Sequence, residues 1–266
     1  MASPTFGGTL NMTHIGTATA ILEINGVNML TDPFFSPGGT EFDVGVAVLK
    51  VDDTPAMSLK DLPIIDVILL SHEDHPDNLD ELGRQLLDGR RVLTTLDGAQ
   101  KLAPRPGVIG LRPWETVSVN VGGKQFQVTG TPCQHMPGGE VTGFIITEPG
   151  FGTTDGLPNA IYFSGDTVYI EELAEIRSKF HISVAILNLG AAIAALPGHE
   201  PLMITMDGKQ ASRLSKEIGA DVIVPMHYES WNHFSQHGKE LLQAFQEEGI
   251  SDKISWLEPG VTKKIF

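Results

Sequence analysis

The sequence predicts an α/β protein, a four-layer αββα sandwich of two mixed β-sheets flanked by helices, and two observations carry that reading. Each half of the chain opens with closely spaced strands and then passes into alternating strand and helix patterns. The apolar runs IIDVILLS and ISVAILNLG have the continuous character of strands covered on both faces, as parallel strands beneath helices are.

Taken in order, TLNMTHIG and TATAILEI read as strands, Asn25-Gly26 as a hairpin turn, and VNMLTDPFF as a third strand. From Ser36 to about Leu59 the pattern weakens around Pro37, Gly38 and Gly39, which predicts a surface excursion of the kind that covers sites. IIDVILLS is a strand. DNLDELGRQLLDG then shows helical spacing of Leu79, Leu82, Leu86 and Leu87 before Gly89. RVLTTL is a strand and Ala99 to Leu102 belongs to a short helix. The second half repeats this plan. A hairpin turns at Gly122-Gly123 and leads to the strands VTGFIIT and AIYFSG. IEELAEIRSKF, GKQASRLSKEIGA and KELLQAFQEEGI follow as helices, with ISVAILNLG and DVIVPMHY as strands between them. No linker or low-complexity segment interrupts the pattern, so residues 1–266 are read as one domain.

Composition narrows the function. Thirty-three acidic against 18 basic side chains leave a net charge of −15, which repels phosphate backbones and anionic lipid. Neither nucleic acid nor membrane is therefore expected as a partner. Cys133 is the single cysteine, so neither an intrachain disulfide nor a thiolate zinc cluster can form. With no basic start leading into a long apolar run, and no 18 consecutive apolar residues, a cytoplasmic protein is expected.

Four motifs follow predicted strands: Ser71-His72-Glu73-Asp74-His75-Pro76-Asp77-Asn78, Cys133-Gln134-His135, Ser164-Gly165-Asp166-Thr167 and Pro225-Met226-His227-Tyr228. Taken singly, each is weak. A histidine or aspartate at a strand end is commonly a satisfied polar residue, and Asp77 and Asn78 could simply cap the helix that follows. Together they form the series His-x2-His-x-Asp…His…Asp…His, a set of imidazoles and carboxylates suited to divalent cations.

This series resembles the metallo-β-lactamase fold superfamily, whose usual first motif is His-x-His-x-Asp-His. The likeness runs from THIGTATAILEINGVNMLTDP to MHYESWNHF. IGTATAILEI, the LTDP turn at Asp32, SGDT and MHY are similar to the branch of ascorbate-6-phosphate lactonase-like and phospholipase D-like metallohydrolases, in a subgroup with a His-Glu-Asp-His-x-Asp-Asn motif. The first motif departs from the usual one. Asp77-Asn78-Leu79-Asp80 matches Asp-His-Leu-Asp, so one residue is inserted after His72 and Asn78 stands where the last histidine would. His75 is taken as the second ligand, with Asp74 as its competitor.

The resemblance implies that His72, His75 and His135 hold one ion. Asp166 bridges, and Asp77 and His227 hold a second with help from Asn78. One or two divalent ions are expected, zinc first, with manganese or iron as alternatives. Bound metal would bring the pKa of water to about 7, and Asp77 would be the catalytic residue that orients the resulting nucleophile. Asp32 is expected behind a ligand histidine, and Trp231, His233 and Met136 beside the substrate. His14 reads as packing, and His199 and His237 as loop residues. The implied activity is hydrolysis of a small ester-like molecule such as a lactone or lactam. A phosphodiesterase is the alternative, for which Lys101, Arg105 and Arg112 would have to reach the ligands, and a metal-binding protein with little turnover is a third reading. The sequence allows a homo-oligomer without specifying one.

Overall fold

The computed structural model describes residues 6–45, 47–195, 198 and 200–266; His199 lies outside them. Thirteen of its strands position the site. They are β1 (Leu10–Gly16), β2 (Thr19–Ile24), β3 (Val27–Thr31), β4 (Val67–Leu69), β5 (Arg91–Thr95), β6 (Val108–Leu111), β7 (Thr116–Val121), β8 (Lys124–Thr131), β9 (Gly143–Thr147), β10 (Leu157–Phe163), β11 (His181–Asn188), β12 (Val222–Met226) and β13 (Thr262–Lys264). One sheet runs β13-β1-β2-β3-β4-β5-β6 and the other β12-β11-β10-β9-β8-β7. Each is antiparallel where the chain meanders through hairpins and parallel where helices carry it back: β3 to β6 in the first sheet, β10 to β12 in the second.

The inner faces share one apolar core, with Met12, Leu22, Met29, Val67 and Leu69 of the first sheet against Phe126, Phe144, Ile161, Phe163 and Ile186 of the second. Outside the second sheet lie helices α4 (Gly208–Ile218) and α5 (Gly238–Glu247), which bury Leu214, Ile218, Leu241 and Phe245. Leu79, Leu86, Leu87 and Leu102 cover the first sheet around the short helices α1 (Glu81–Arg84) and α2 (Leu96–Lys101). These layers are the αββα order. A separate apolar cluster of Phe34, Val51, Ala192, Ile204, Trp231 and Phe234 underlies the loops at one end of the sandwich.

Three details differ from the expectation. The helix in DNLDELGRQLLDG is a single α turn continued as a 3₁₀ turn over Gln85–Leu87. Its cap is Asp80, which accepts from Gly83 N at 2.7 Å and also holds Phe35 N and Ser36 Oγ, so Asp77 and Asn78 are not caps. In IEELAEIRSKF only Ile176–Lys179 (α3) is α-helical, after a 3₁₀ stretch over Glu171–Glu175. The excursion after Ser36 carries a ribbon, Glu41–Asp43 against Val48–Lys50, joined to the far end of the chain through a bridge between Val51 and Trp231.

Gly83 fixes how closely α1 approaches the turn after β3. A Cβ there would run into the Pro33 carbonyl oxygen, next to Asp32. Gly83→Ala is therefore expected to destabilise the protein by about 1–3 kcal/mol through overpacking. Urea unfolding with an unchanged m-value would show this, and an unchanged midpoint would contradict the close approach.

Candidate metal centre

The four motifs meet at one end of the sandwich because each follows a strand ending there. The loop after β4 carries His72, His75 and Asp77, and the segments leaving β8, β10 and β12 carry His135, Asp166 and His227. The loop after β4 is tied down by Arg84, whose Nη2 donates to Glu73 O at 2.7 Å, and by Lys101, whose Nζ lies 3.2 Å from Glu73 Oε1. Gly165, with φ +58°, lets the Asp166 loop come against it; a Cβ there would lie 2.8 Å from both Ser71 Cβ and Thr142 O. His227 adopts φ +54°, a left-handed conformation costing about 1 kcal/mol, held by its N–H donating to Thr17 O at 3.2 Å.

Two trios of ligand atoms result, His72 with His75 and His135, and Asp77 with Asp166 and His227, each with its atoms within 4.8 Å of one another. In the first, His75 Nδ1 sits 3.1 Å from His72 Nε2 and 3.2 Å from His135 Nε2. His75 rather than Asp74 completes the trio with the other two histidines, while Asp74 Oδ2 lies 3.7 Å from Lys101 Nζ.

The surrounding hydrogen bonds decide the imidazole tautomers. His135 Nδ1 lies 2.6 Å from the Ile204 carbonyl, an acceptor only, so Nδ1 carries the proton and Nε2 a lone pair. Ser71 Oγ donates to Asp32 Oδ2 at 2.8 Å and lies 2.9 Å from His72 Nδ1. Above the raised titration point of Asp32, about 7, its ionised carboxylate takes the Ser71 hydrogen, so His72 Nδ1 donates to that hydroxyl and its Nε2 is a second lone pair. Two lone pairs thus face His75 Nδ1, which can donate to only one. Burial and the neighbouring His75 push His72 down to about 3, and burial lowers His135, so both stay neutral as ligation requires. A divalent cation fits this donor set.

The second trio concentrates negative charge. His227 Nε2 stands 3.4 Å from Asp166 Oδ2 and 3.5 Å from Asp77 Oδ2, outside hydrogen-bond geometry, and neither nitrogen of this buried ring has a hydrogen-bond partner. Burial opposes charge on all three, yet their mutual attraction outweighs it. His227 is raised to about 10, and Asp77 and Asp166 are held well below the usual carboxylate range. Two buried carboxylates against one imidazolium leave charge for a cation to balance.

Asp32 stands behind the first trio and reaches His72 through Ser71. It accepts from Ser71 N at 2.6 Å, Ser71 Oγ at 2.8 Å and Asn78 Nδ2 at 3.1 Å. Asn78 is therefore turned toward Asp32 by its amide nitrogen, while its Oδ1 is buried without a partner. Asn188 Nδ2 steadies Asp166 Oδ1 at 2.7 Å. Ser71 and Asn188 are supporting residues missed in the sequence, although one flanks His72 and the other is the lone amide in ISVAILNLG.

All the trio residues except His72 line a cavity of about 350 Å³. Its floor is His75, Asp77, His135, Asp166, His227 and His233, its rim includes Asp74, and its walls include Val44, Leu49, Met136, Ile193 and Ile204. Met136 and His233 are thus beside the cavity as expected. Trp231 is not among the lining residues, contrary to expectation; it is 1% exposed and packs against Phe34 beneath it, ring centroids 5.2 Å apart. His14 Nε2 bonds Thr17 O at 3.0 Å, and His237 caps α5 at the surface. No helix among the described residues is long and apolar enough to cross a membrane.

Residues 27–228 match the beta-lactamase superfamily domain. The chain belongs to the metallo-β-lactamase superfamily. A UPF0173 metal-dependent hydrolase of Methanopyrus kandleri is 25% identical over 265 residues, covering 94% of this chain and 98% of the relative. Among solved structures, the metallo hydrolase Igni18 of Ignicoccus hospitalis superposes with TM-score 0.72 at 24% identity, over 97% of this chain and 99% of that one. An isothiocyanate hydrolase from Delia radicum gut bacteria does so with TM-score 0.76 at 24% identity, over 95% and 98%. With this family and a His/Asp site able to hold metal, the chain is a metal-dependent hydrolase.

Asp32 permits a test of the buried network. Burial and the Asp166 charge push its carboxyl up to about 7, against the hydrogen bonds from Ser71 and Asn78. A raised folded value means the folded state holds the proton longer than the unfolded chain, so this group's contribution to stability declines between pH 3.8 and about 7. Metal-free wild type is expected to lose stability relative to Asp32→Asn as pH rises through that window, in urea titrations at several pH values. Parallel slopes for the two proteins would contradict it.

Proposed function

We propose that the enzyme hydrolyses a small, uncharged ester-like molecule, a lactone or related ester or amide with an apolar substituent. The observation that carries this is the cavity wall: beyond the metal-facing floor its side chains are largely apolar, and no lysine or arginine is among the described lining residues. Of these walls, Val44 and Ile193 stay exposed at 40% and 43%, available to an apolar group. The likeness of IGTATAILEI, SGDT and MHY to lactonase-like metallohydrolases points the same way.

A phosphate substrate lacks a cationic partner here. Lys101 is engaged by Asp97 at 2.7 Å, Glu73 at 3.2 Å and Asp74 at 3.7 Å; Arg105 pairs with Asp88 and Arg112 with Glu115.

In this reading His72, His75 and His135 hold one divalent ion, and Asp77, Asp166 and His227 a second. When bound, such ions acidify water toward neutrality and polarise a carbonyl. Asp77 keeps an ionised carboxylate at the cavity floor, where it accepts a hydrogen bond from the attacking water and fixes its direction. That oxygen bonds to the carbonyl carbon, the bond to the leaving group breaks, and the water proton ends on the leaving oxygen or nitrogen. Met136 and Ile204 exclude solvent from one side, and the Ile204 carbonyl fixes the His135 ring.

Purified, zinc- or manganese-loaded protein assayed on lactones, lactams and phosphodiesters tests the proposal. Turnover of neutral esters or lactones is expected, with kcat/KM rising about fourfold per added methylene that reaches the walls. Asp77→Asn should lose about 10²–10⁴-fold in kcat. Faster turnover of a phosphodiester than of any ester or lactone would overturn the substrate class.

A further inference from the structure

The second trio has a feature that the series of motifs does not explain. At the position where the superfamily's first motif ends in histidine this chain has Asn78, and its amide nitrogen is committed to Asp32. Yet another imidazole stands beside Asp77. His233 Nε2 lies 3.6 Å from Asp77 Oδ2, about the distance at which His227 Nε2 approaches the same oxygen, 3.5 Å.

Three observations set His233 apart from a residue that merely lines a cavity. Its Nδ1 is buried without a hydrogen-bond partner, so the approach of Nε2 to Asp77 is the polar contact the structure shows for this ring. The ring is packed between Trp231 and Phe234, with centroids 5.8 Å and 4.7 Å away, and its side chain is 15% exposed. Its loop is anchored from both sides. Asn232 Oδ1 accepts from Lys50 N at 3.0 Å and Asn232 Nδ2 donates to Val48 O at 3.2 Å, while Ser230 O accepts from Asp52 N at 2.7 Å. A ring held this firmly, with Nε2 3.6 Å from a buried carboxylate oxygen that another histidine also approaches, stands beside the second trio.

We infer that His233 supplies the second ion with the imidazole that Asn78 withholds, joining Asp77, Asp166 and His227 as a ligand. Asn78 is thereby released to serve Asp32, and through Ser71 the orientation of His72. Imidazole in place of a neutral amide oxygen also favours zinc at this position. The inference rests on the assignment of Asp77, Asp166 and His227 to a second ion, and its test reads metal rather than turnover, so the two readings can fail separately.

Metal-free protein titrated with zinc, and with cobalt followed by visible absorption and by hyperfine-shifted proton resonances, decides the matter. Wild type is expected to take up two ions per chain. In His233→Ala the first ion should bind as in wild type and the second at least about tenfold more weakly. The absorption bands gained with the second cobalt equivalent should shift, and one exchangeable imidazole N–H resonance should be lost. His233→Gln, which keeps most of the volume, should behave likewise and serves if the alanine variant does not fold. The inference is overturned if either folded variant binds the second ion within about twofold of wild type with unchanged cobalt spectra, or if wild type holds a single ion. A protein that loads two ions, loses the second on substitution and turns over no ester would sustain the inference and sink the substrate class.

Discussion

The constraint on which the rest of the structure depends is electrostatic. Asp32, Asp77 and Asp166 are buried at one end of the sandwich with His72, His135 and His227. Burying charge is costly unless it is compensated, and the protein's own groups compensate only partly. His227 can neutralise one of the two carboxylates that face it, and in the other trio two lone pairs converge on a nitrogen able to donate once. Each trio has donors that could hold a cation, and a cation bound there would relieve its imbalance.

The fold makes that arrangement affordable by spending backbone irregularity at a few positions. His227 sits in the left-handed region and Gly165 packs where no side chain would fit. Both lie immediately after parallel strands of the second sheet, whose pairing with their neighbours leaves little freedom upstream. Stiffness extends outward from each donor: Ser71 and Asp32 behind His72, the Ile204 carbonyl behind His135, Asn188 behind Asp166. Such contacts fix the orientation of the rings, and for His135 the tautomer that leaves Nε2 free.

The same economy shapes the cavity. The chain has 18 lysines and arginines, yet none is among the described lining residues, and Lys101, beside Asp74 of the lining, is paired with three acidic neighbours. The mouth is instead formed by the ribbon after Ser36 and by Ile193–Ala194, whose apolar side chains face the floor of imidazoles and carboxylates. That division of polar floor and apolar wall is the basis of the proposed substrate class.

Periodicity and local motifs, by themselves, determined the two meanders, their succession into parallel strands, and the strand-end positions of His72, His135, Asp166 and His227, because strand pairing and helix burial impose signals within about twenty residues. They also marked the inserted residue and the presence of Asn78. Only the tertiary structure decided which of Asp74 and His75 groups with the other histidines, since that depends on how the loop after β4 meets the segment carrying His135. The cap at Asp80 was likewise hidden, three acidic or amide residues in four offering equivalent chemistry until Gly83 and Phe35 choose among them. Trp231 and His233, two residues apart, could not be separated into core and floor, because that choice is made by Asn232 pairing with strand residues 182 and 184 positions away. Long-range hydrogen bonds of this kind leave no trace in local spacing, and they are what aim the side chains.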